Sequence, residues 1–292
     1  MNSLVKKKIL VTGGAGFIGS HLCEELSKNS ANEIFSLDNY FTGSVNNHIK
    51  NVNYIKGSTN DIAKLIKFKP DLIYHLGEYS RVEQSFHDIE QVFDFNTQGT
   101  FAVLEFSRRT KAKLIYSGSS TKFADNGIGG NQSPYAWTKA SNTELIINYG
   151  EWFDIKYAIT YFYNVYGGRE ISEGRYATLI GIFKEKMRKK LPLDVVKPGS
   201  QKRNFTHIDD IILGLILVGE KGDGDGYGIG CSSSYSVLEI AKMFEAEINF
   251  IPEREGNRMT AEVFTSRTEE LGWESTIAIE DYIKGLKADE YK

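Results

Sequence analysis

A glycine-rich turn between a predicted strand and a predicted helix constrains the fold of this chain more than any other feature. The run KILVTGGAGFIGS over residues 8–20 places Gly13, Gly16 and Gly19 at a three-residue spacing. The first glycine suits the φ of a tight turn, the second lets the backbone approach a pyrophosphate, and the third lets the helix pack on the strand. Because a helix N-terminus carries free N–H groups and a positive dipole end, the segment predicts an anion site.

The next predicted strand, residues 33–37, ends on Asp38. A carboxylate at the tip of a second strand accepts both ribose hydroxyls of an adenosine and repels a 2′-phosphate. The glycine turn and this acid together predict a dinucleotide site that takes NAD in preference to NADP.

Composition and charge narrow the class of protein. The chain has 292 residues, of which 41% are hydrophobic and 25% charged, as in a globular protein. A net charge of −3 gives no reason to expect a nucleic acid or an anionic membrane as partner.

Cys23 and Cys231 are too few for a disulfide framework and lack metal-ligand spacing, so no metal is expected. No apolar run is long enough to span a membrane, and residues 1–8 lead into a strand rather than a signal-peptide core, so we expect a cytoplasmic protein.

Strands and helices alternate over the first part of the chain. This alternation predicts an α/β fold with a Rossmann-type doubly wound parallel sheet. We assign residues 1–163 to a NAD-binding Rossmann domain. Residues 164–292 are assigned mainly to a smaller C-terminal α/β lid that binds substrate, with about 202–230 returning to the first domain. The run GDGDG at 222–226 is interpreted as a surface turn.

The ends of the predicted strands converge on one crevice. The carboxyl ends of parallel strands meet at one edge of the sheet, and a Rossmann fold binds its ligand there. The residues predicted at these ends are Gly13, Asp38, Leu76, Gly77 and Ser119. We therefore expect them to lie close together.

Tyr135 and Lys139 lie four residues apart at the start of a predicted helix and so share one face. A tyrosine is a weak base at neutral pH, and a lysine one turn away, together with a nicotinamide cation, favours the phenolate. Such a phenolate takes a proton from a sugar hydroxyl as a hydride leaves the same carbon. The hydroxyl of Ser119 would complete the arrangement by bonding the same oxygen. We predict Ser119, Tyr135 and Lys139 as the catalytic residues.

In these motifs the chain resembles the NAD-dependent sugar epimerase/dehydratase family of extended short-chain dehydrogenases/reductases, and in particular its UDP-glucose 4-epimerase-like members. The segments that carry the resemblance span nearly the whole length: VTGGAGFIGSHL at 11–22, DN at 38–39, TGS at 42–44, NTQGT at 96–100, YAWTK at 135–139, FYNVYG at 162–167, RNFTHIDD at 203–210, REGN at 254–257 and LGW at 271–273. The resemblance implies NAD as cofactor and a nucleotide-diphosphate sugar as substrate. It also implies a homodimer formed through two long helices, at about 89–110 and 134–149.

The resemblance further implies roles for individual residues. Cofactor contacts are implied for Gly13, Gly16, Phe17, Ile18, Asp38, Asn39, Leu76, Gly77, Asn96, Tyr135 and Lys139. Substrate diphosphate contacts are implied for Asn164, Arg203 and Arg254. Two arginines suit this role because planar guanidinium forks match phosphate oxygens.

The chain departs from the family pattern near the sugar site. Ser120 and Thr121 follow Ser119, where a 4,6-dehydratase usually carries an Asp–Glu pair for eliminating water, so dehydratase activity is disfavoured. The run LGE at 76–78 replaces the usual LAA. We include Ser120, Thr121 and Glu78 among the predicted substrate contacts, and the alternative for Glu78 is a solvated acid on a loop.

The expected function is a nucleotide-sugar 4-epimerase, in which a 4-keto sugar forms, turns over in the pocket and is reduced on its other face. One alternative is a nucleotide-sugar 4-dehydrogenase that releases the keto product. The short spacing between Ser119 and Tyr135, below that of a typical 4-epimerase, leaves this alternative open. Another is a NAD-binding protein without turnover, although such proteins usually lose the Tyr–Lys pair. Surface-polysaccharide precursors are the expected pathway context.

Overall fold

The structure of the chain, a computed structural model, describes residues 6–123, 130–252 and 263–290. In chain order its strands are β1 (Lys7–Thr12), β2 (Asn32–Asp38), β3 (Val52–Lys56), β4 (Leu72–His75), β5 (Lys113–Ser119), β6 (Tyr157–Phe162), β7 (Val165–Tyr166), β8 (Leu193–Val196), β9 (Lys202–Asn204), β10 (Thr206–His207), β11 (Gly224–Ile229), β12 (Ser234–Ser236) and β13 (Ile248–Ile251). Its α-helices are α1 (Phe17–Ser27), α2 (Ile62–Leu65), α3 (Ile89–Val92), α4 (Gly99–Thr110), α5 (Pro134–Phe153), α6 (Leu179–Arg188), α7 (Ile208–Lys221), α8 (Val237–Met243), α9 (Ser266–Glu269) and α10 (Ile279–Glu290). A π-helix, Phe93–Gln98, joins α3 to α4, and short 3-10 helices cover Val45–Asn47, Thr59–Asp61, Glu83–Phe86 and Ser120–Phe123.

Seven of these strands form one sheet in the order β11-β6-β5-β4-β1-β2-β3, and every neighbouring pair is parallel. Side chains along a strand alternate between the two faces of a sheet. In β1, Ile9 and Val11 join the core formed with α1 and α7, whereas Leu10 joins the core formed with α4 and α5. Helices therefore cover both faces, and the predicted Rossmann-type doubly wound sheet is confirmed.

The strand order reverses between β1 and β4. From β1 the chain proceeds to β2 and β3 on one side, and from β4 to β5 and β6 on the other. Such a reversal opens a crevice at the carboxyl ends of the two central strands, where doubly wound folds bind their ligands.

The hydrophobic layers on the two faces of the large sheet together make the first core of the chain, and a second, smaller core lies among the C-terminal elements. It includes Ile180 and Phe183 of α6, Leu193 of β8, Ile240 of α8 and Ile283 of α10. The elements α7 and β11 belong instead to the first core, because β11 pairs with β6 and α7 packs against α1. The chain thus returns to the large sheet after the second core has begun. The exact division into domains stays a prediction.

Two expectations about single elements need correction. The helix predicted over about 89–110 is interrupted by the π-helix Phe93–Gln98. The run at 222–226 is not simply a surface turn, because from Gly224 onward it forms the edge strand β11. Glycine and aspartate are depleted in strands, so the sequence carried no strand signal there. Pairing with β6 and the hydrogen bond from the Tyr161 hydroxyl to Asp225 Oδ1 at 2.6 Å decide the conformation.

Gly19 of α1 packs directly on the turn after β1. A Cβ at this position would lie 2.1 Å from the carbonyl oxygen of Gly13. This oxygen belongs to the backbone, so it moves only with the whole turn. Gly19→Ala is therefore expected to lower the free energy of unfolding by about 1–3 kcal/mol. Urea denaturation of the purified variant measures this change.

Gly285→Ala in α10 is the matched control, since nothing lies within 4 Å of a Cβ at Gly285 among the described residues. Alanine has the higher helix propensity, so this variant is expected to gain up to about 1 kcal/mol. An unchanged urea midpoint for Gly19→Ala would contradict the close helix–strand packing.

Candidate active site

One large cavity opens at the carboxyl ends of the sheet strands, next to the second core. Its volume is about 520 Å³, within the range of cofactor and small-molecule sites. Its wall contains most of the residues predicted from the sequence: Gly13, Gly16, Phe17, Ile18, Asp38, Asn39, Leu76, Gly77, Glu78, Ser119, Ser120, Thr121, Tyr135, Lys139, Asn164 and Arg203. The structure therefore brings these residues together in one place.

The glycine turn forms one side of this cavity. Gly13 has a φ of +73°, which favours glycine, and a Cβ there would lie 2.9 Å from backbone atoms of Leu76 and Gly77. Gly16 is the N-cap of α1, and among the described residues no side chain caps this helix and no acid lies in its first turn. The first N–H groups of α1 are therefore available to an anion, which fits the pyrophosphate of a dinucleotide.

Asp38 ends β2 beside this turn and is buried. Its Oδ2 accepts a hydrogen bond from the N–H of Ala15 at 2.9 Å, and its Oδ1 accepts one from the N–H of Tyr40 at 2.7 Å. Burial raises the pKa of Asp38, and the two N–H donors oppose this rise. Each carboxylate oxygen retains acceptor capacity, so the residue fits the hydroxyls of an adenosine ribose.

Tyr135 is brought to the cavity by the start of α5. Ser133 is the N-cap, its hydroxyl accepts from the N–H of Ala136 at 3.1 Å, and Pro134 begins the helix. Both residue types are favoured at helix starts, because serine satisfies a free N–H and proline has none to satisfy. Tyr135 therefore lies in the first turn of α5 with Lys139 one turn later, and both line the cavity.

The ammonium of Lys139 is held in a buried ion pair. Its Nζ contacts Oε2 of Glu78 and donates to the carbonyl oxygen of Ser117 at 2.6 Å. The side chains of Lys139 and Glu78 are 5% and 1% exposed. One N–H of the ammonium remains for a cofactor hydroxyl, because a lysine has three.

The carboxylate of Glu78 is surrounded by protein donors. Its Oε1 accepts from the Thr100 hydroxyl at 2.7 Å, from the Tyr116 hydroxyl at 3.1 Å and from Asn142 Nδ2 at 2.9 Å. The alternative of a solvated loop acid is therefore wrong. Glu78 also lines the cavity, so the substrate contact at this residue stays a prediction.

A directed chain of hydrogen bonds links Glu78 back to β1. The Thr100 hydroxyl donates to Glu78 and so accepts from Nε2 of His75 at 2.9 Å. Nδ1 of His75 then accepts from the Thr12 hydroxyl at 2.7 Å, which accepts in turn from the N–H of Gly77 at 3.0 Å. Burial lowers the pKa of His75 to about 4, so the ring is neutral at neutral pH and this chain fixes its tautomer.

Ser119 ends β5 and is buried at the cavity wall. Its Oγ accepts from the Thr121 hydroxyl at 2.9 Å and from the N–H of Thr121 at 3.3 Å. The proton of Ser119 is thus free to be donated to a substrate oxygen. Ser120 lies beside it on the same wall.

The structure does not place Asn96 on the cavity wall. Its side chain is completely buried, where Oδ1 accepts from the N–H of Tyr79 at 2.7 Å and Nδ2 donates to the Thr138 hydroxyl at 3.0 Å. The cofactor role predicted for Asn96 stays a prediction. This residue ties the segment after Glu78 to α5.

The predicted diphosphate contacts differ in what the structure shows of them. Asn164 and Arg203 both line the cavity. Nδ2 of Asn164 donates to the carbonyl oxygen of Asn204 at 3.0 Å, which holds its amide next to β9. Arg254 lies outside the described residues.

Comparison with known proteins agrees with this geometry. The model of the NAD dependent epimerase/dehydratase family matches residues 9–230. The chain belongs to the NAD-dependent epimerase/dehydratase family. It is therefore an NAD-dependent enzyme, and the glycine turn with Asp38 fits that cofactor.

Similarity to members of the NAD-dependent epimerase/dehydratase family extends over nearly the full length. UDP-glucuronic acid decarboxylase 5 of Arabidopsis thaliana is 28% identical over 97% of this chain and 89% of its own. The putative UDP-glucose 4-epimerase of Methanocaldococcus jannaschii is 30% identical over 94% of this chain and 96% of its own. The solved structure of the Thermotoga maritima UDP-glucose 4-epimerase with UDP-glucose has a TM-score of 0.89 at 26% identity, covering 97% of this chain and 98% of that one.

Sequence reasoning missed three side chains of this family member's site: His75, Asn142 and Arg81. Arg81 lines the cavity, and its Nε and Nη2 donate to the carbonyl oxygen of Tyr176 at 2.8 and 2.5 Å, while Nη1 donates to that of Ser80 at 3.1 Å. Burial lowers the pKa of Arg81 from its usual value. Its place in the sequence could have identified Arg81 as a site residue, since it is a charged residue in the loop that follows a buried strand.

Membrane-spanning helices and metal-binding groups of side chains are both absent from the described ranges. None of their helices combines the length and the apolar character needed to cross a membrane. No group of three or more His, Cys, Asp or Glu side chains within them is arranged to hold a metal ion.

Burial of a neutral His75 makes stability depend on pH. The folded state keeps this residue unprotonated down to about pH 4, whereas an unfolded histidine binds a proton below pH 6.5. The unfolded state therefore binds more protons in this window. The free energy of unfolding is expected to fall as the pH drops from 6.5 to 4, by up to about 3 kcal/mol from this residue. Urea denaturation at several pH values measures the slope.

His75→Gln is the control, because glutamine donates and accepts hydrogen bonds but does not titrate. Its stability is expected to vary less over the same pH window by about the amount attributed to His75. Equal pH slopes for the wild type and the variant would contradict a buried neutral histidine.

Proposed function

We propose that this chain is a nucleotide-sugar 4-epimerase that works through a 4-keto sugar. The observation that carries the proposal is that Ser119, Tyr135 and Lys139 line the same cavity as the glycine turn that suits NAD. Similarity to UDP-glucose 4-epimerases over almost the whole chain supports both the reaction and the class of substrate.

Tyr135 acts as the base in this proposal. Its phenolate takes the proton of the C4 hydroxyl, and Ser119 donates to the same oxygen and orients it. NAD, when bound, supplies the chemistry of accepting a hydride from C4 and giving it back. After the keto sugar has turned over, Tyr135 returns the proton to the oxygen, so the net reaction consumes neither proton nor hydride.

Arg203 and Asn164 bind the substrate diphosphate in this proposal. Both line the part of the cavity that follows β6, and a guanidinium matches phosphate oxygens in shape and charge. Arg254 is assigned the same role. Residues 1–163 thus bind the cofactor, and residues 164–292 contribute most of the substrate contacts.

The residues after Ser119 do not favour elimination of water. A dehydratase needs an acid and a base next to the sugar, whereas Ser120 and Thr121 supply only hydroxyls. The hydroxyl of Thr121 is moreover bonded to Ser119. A 4-dehydrogenase would use the same catalytic residues and would differ in releasing the keto sugar.

Tyr135→Phe removes the proposed base and leaves the ring in place. The rate of hydride transfer is expected to fall about 10²–10⁴-fold, because the C4 hydroxyl keeps its proton. The affinity for NAD is expected to stay the same, since the glycine turn and Asp38 are unchanged. Single-turnover absorbance of reduced cofactor and calorimetric titration with NAD measure the two quantities.

Tyr149→Phe is the matched control, because it removes the same atom from the same helix. The Tyr149 hydroxyl donates to Glu105 Oε1 at 3.1 Å, and Tyr149 does not line the cavity among the described residues. It is expected to turn over like the wild type. Full activity of Tyr135→Phe would show that another group is the base.

We further propose that the enzyme is a homodimer that pairs α3, α4 and α5 with the same helices of a second copy. Large apolar side chains are exposed on these helices and on the π-helix that joins α3 to α4: Ile89, Phe93, Phe101, Trp137, Trp152 and Phe153. The rings of Phe93 and Trp137 stack with their centroids 5.6 Å apart and connect the π-helix to α5. A surface patch of this kind is typical of a protein interface.

Phe101→Lys places a charge in this patch and is expected to convert the dimer to a monomer. Analytical ultracentrifugation should give twice the chain mass of 32.9 kDa for the wild type and one chain mass for the variant. Leu213→Lys is the control, since Leu213 is similarly exposed but lies on α7, on the other face of the sheet. A monomeric wild type would contradict the proposed dimer.

We also propose a cytoplasmic location. Cys23 and Cys231 are both free thiols, which is the usual state in a reducing compartment.

A further inference from the structure

We propose that Glu78 is a positioning residue that fixes the ammonium of Lys139 and offsets its charge beside Tyr135. The proposal rests on the proposed function, because that function gives Tyr135 and Lys139 their catalytic roles. It adds a residue to which the family pattern gives no role, since alanine usually stands at this position.

Glu78 is ionised in the folded protein. Lys139, Thr100, Tyr116 and Asn142 all direct hydrogen-bond donors at its two oxygens. A protonated carboxyl would use one oxygen as a donor and leave one of these groups without an acceptor, whereas a carboxylate only accepts. Burial without such partners would disfavour the charge.

The ion pair has a net charge of zero, and its surroundings do not change that sum. His75 adds no charge, because its ring is neutral, and burial raises the pKa of Tyr116 well above its usual value. The carboxylate of Glu78 therefore cancels part of the field that the Lys139 ammonium exerts on Tyr135. Charges count more here than in water, because the pair is buried.

Arg81 is another cation on the wall of the cavity that Tyr135 lines. On the described part of the cavity wall the remaining charged residues are Asp38 and Arg203. The guanidinium of Arg81 donates to the carbonyl oxygens of Tyr176 and Ser80, and the carboxyl of Glu170 interacts with it electrostatically. Arg81 is unchanged in variants of Glu78, so it does not contribute to a difference between those variants and the wild type.

The test is to remove the charge of Glu78 and to follow the ionisation of Tyr135 directly. NMR of protein labelled at tyrosine Cζ reports each phenol, and Tyr135→Phe assigns the resonance. In Glu78→Ala and in Glu78→Gln, Tyr135 is expected to titrate at a pH lower by about one unit, because a nearby negative charge opposes formation of the phenolate. This corresponds to a roughly tenfold larger ionisation constant.

Two variants separate charge from packing. Glu78→Gln keeps the volume, and Glu78→Ala restores the family residue and leaves space for water, so one of them remains usable if the other does not fold. Tyr116→Phe is the control, because it deletes one hydrogen bond to Glu78 and changes no charge. It is expected to leave the titration of Tyr135 at its wild-type position.

Titration of Tyr135 at an equal or higher pH in the folded Glu78 variants would overturn the proposal. A higher pH would mean that Glu78 keeps Lys139 charged rather than offsetting it. The measurement needs neither sugar nor turnover. A lower titration pH in a protein that converts no nucleotide sugar would support the role of Glu78 and count against the proposed function alone.

Discussion

The close approach of Gly13 to Gly77 is the contact on which the rest of the site depends. It lies where the strand order reverses, and a Cβ on Gly13 would meet the Gly77 backbone at 2.9 Å. Because the two backbones touch, the cofactor turn and the loop that carries Glu78 and Arg81 are fixed relative to each other. The hydrogen bond from the Gly77 N–H to the Thr12 hydroxyl at 3.0 Å strengthens this link. The shape of the crevice and the positions of Glu78 and Arg81 on its wall thus depend on one packing contact.

A buried ion pair next to the proposed base is tolerated only where the surrounding polar groups are satisfied. The π-helix contributes to this, because the carbonyl oxygen of Asn96 accepts from Asn142 Nδ2 at 2.9 Å and so orients that amide toward Glu78. Asn96 in turn binds the backbone of Tyr79 and the hydroxyl of Thr138. The result joins β4, the π-helix and α5 into one polar network beneath the cavity. π-Helical turns occur frequently at functional sites.

The sequence was sufficient for the features that depend on local patterns. The alternation of strands with helices, the glycine spacing and the Tyr–Lys pair can all be recognised from residues close together in the sequence. The sheet and the shared cavity follow from them. The environment of Glu78 could not be read in this way, because its partners lie between 22 and 64 residues away along the chain. The edge strand β11 depends on tertiary pairing with β6 despite its glycines. Asn96 belongs to a family motif, NTQGT at 96–100, but only the fold shows that its amide is buried inside the protein.

Proton NMR of a small set of nucleotide sugars, incubated with the purified enzyme and NAD, decides whether the site performs epimerisation. Tyr135, Ser119 and the retained hydride predict a sugar inverted at C4, with no net accumulation of NADH. A keto sugar that forms one for one with NADH would contradict epimerisation and identify a dehydrogenase. Loss of a sugar carboxyl as carbon dioxide would contradict it as well, and would place the reaction with that of the decarboxylase relatives.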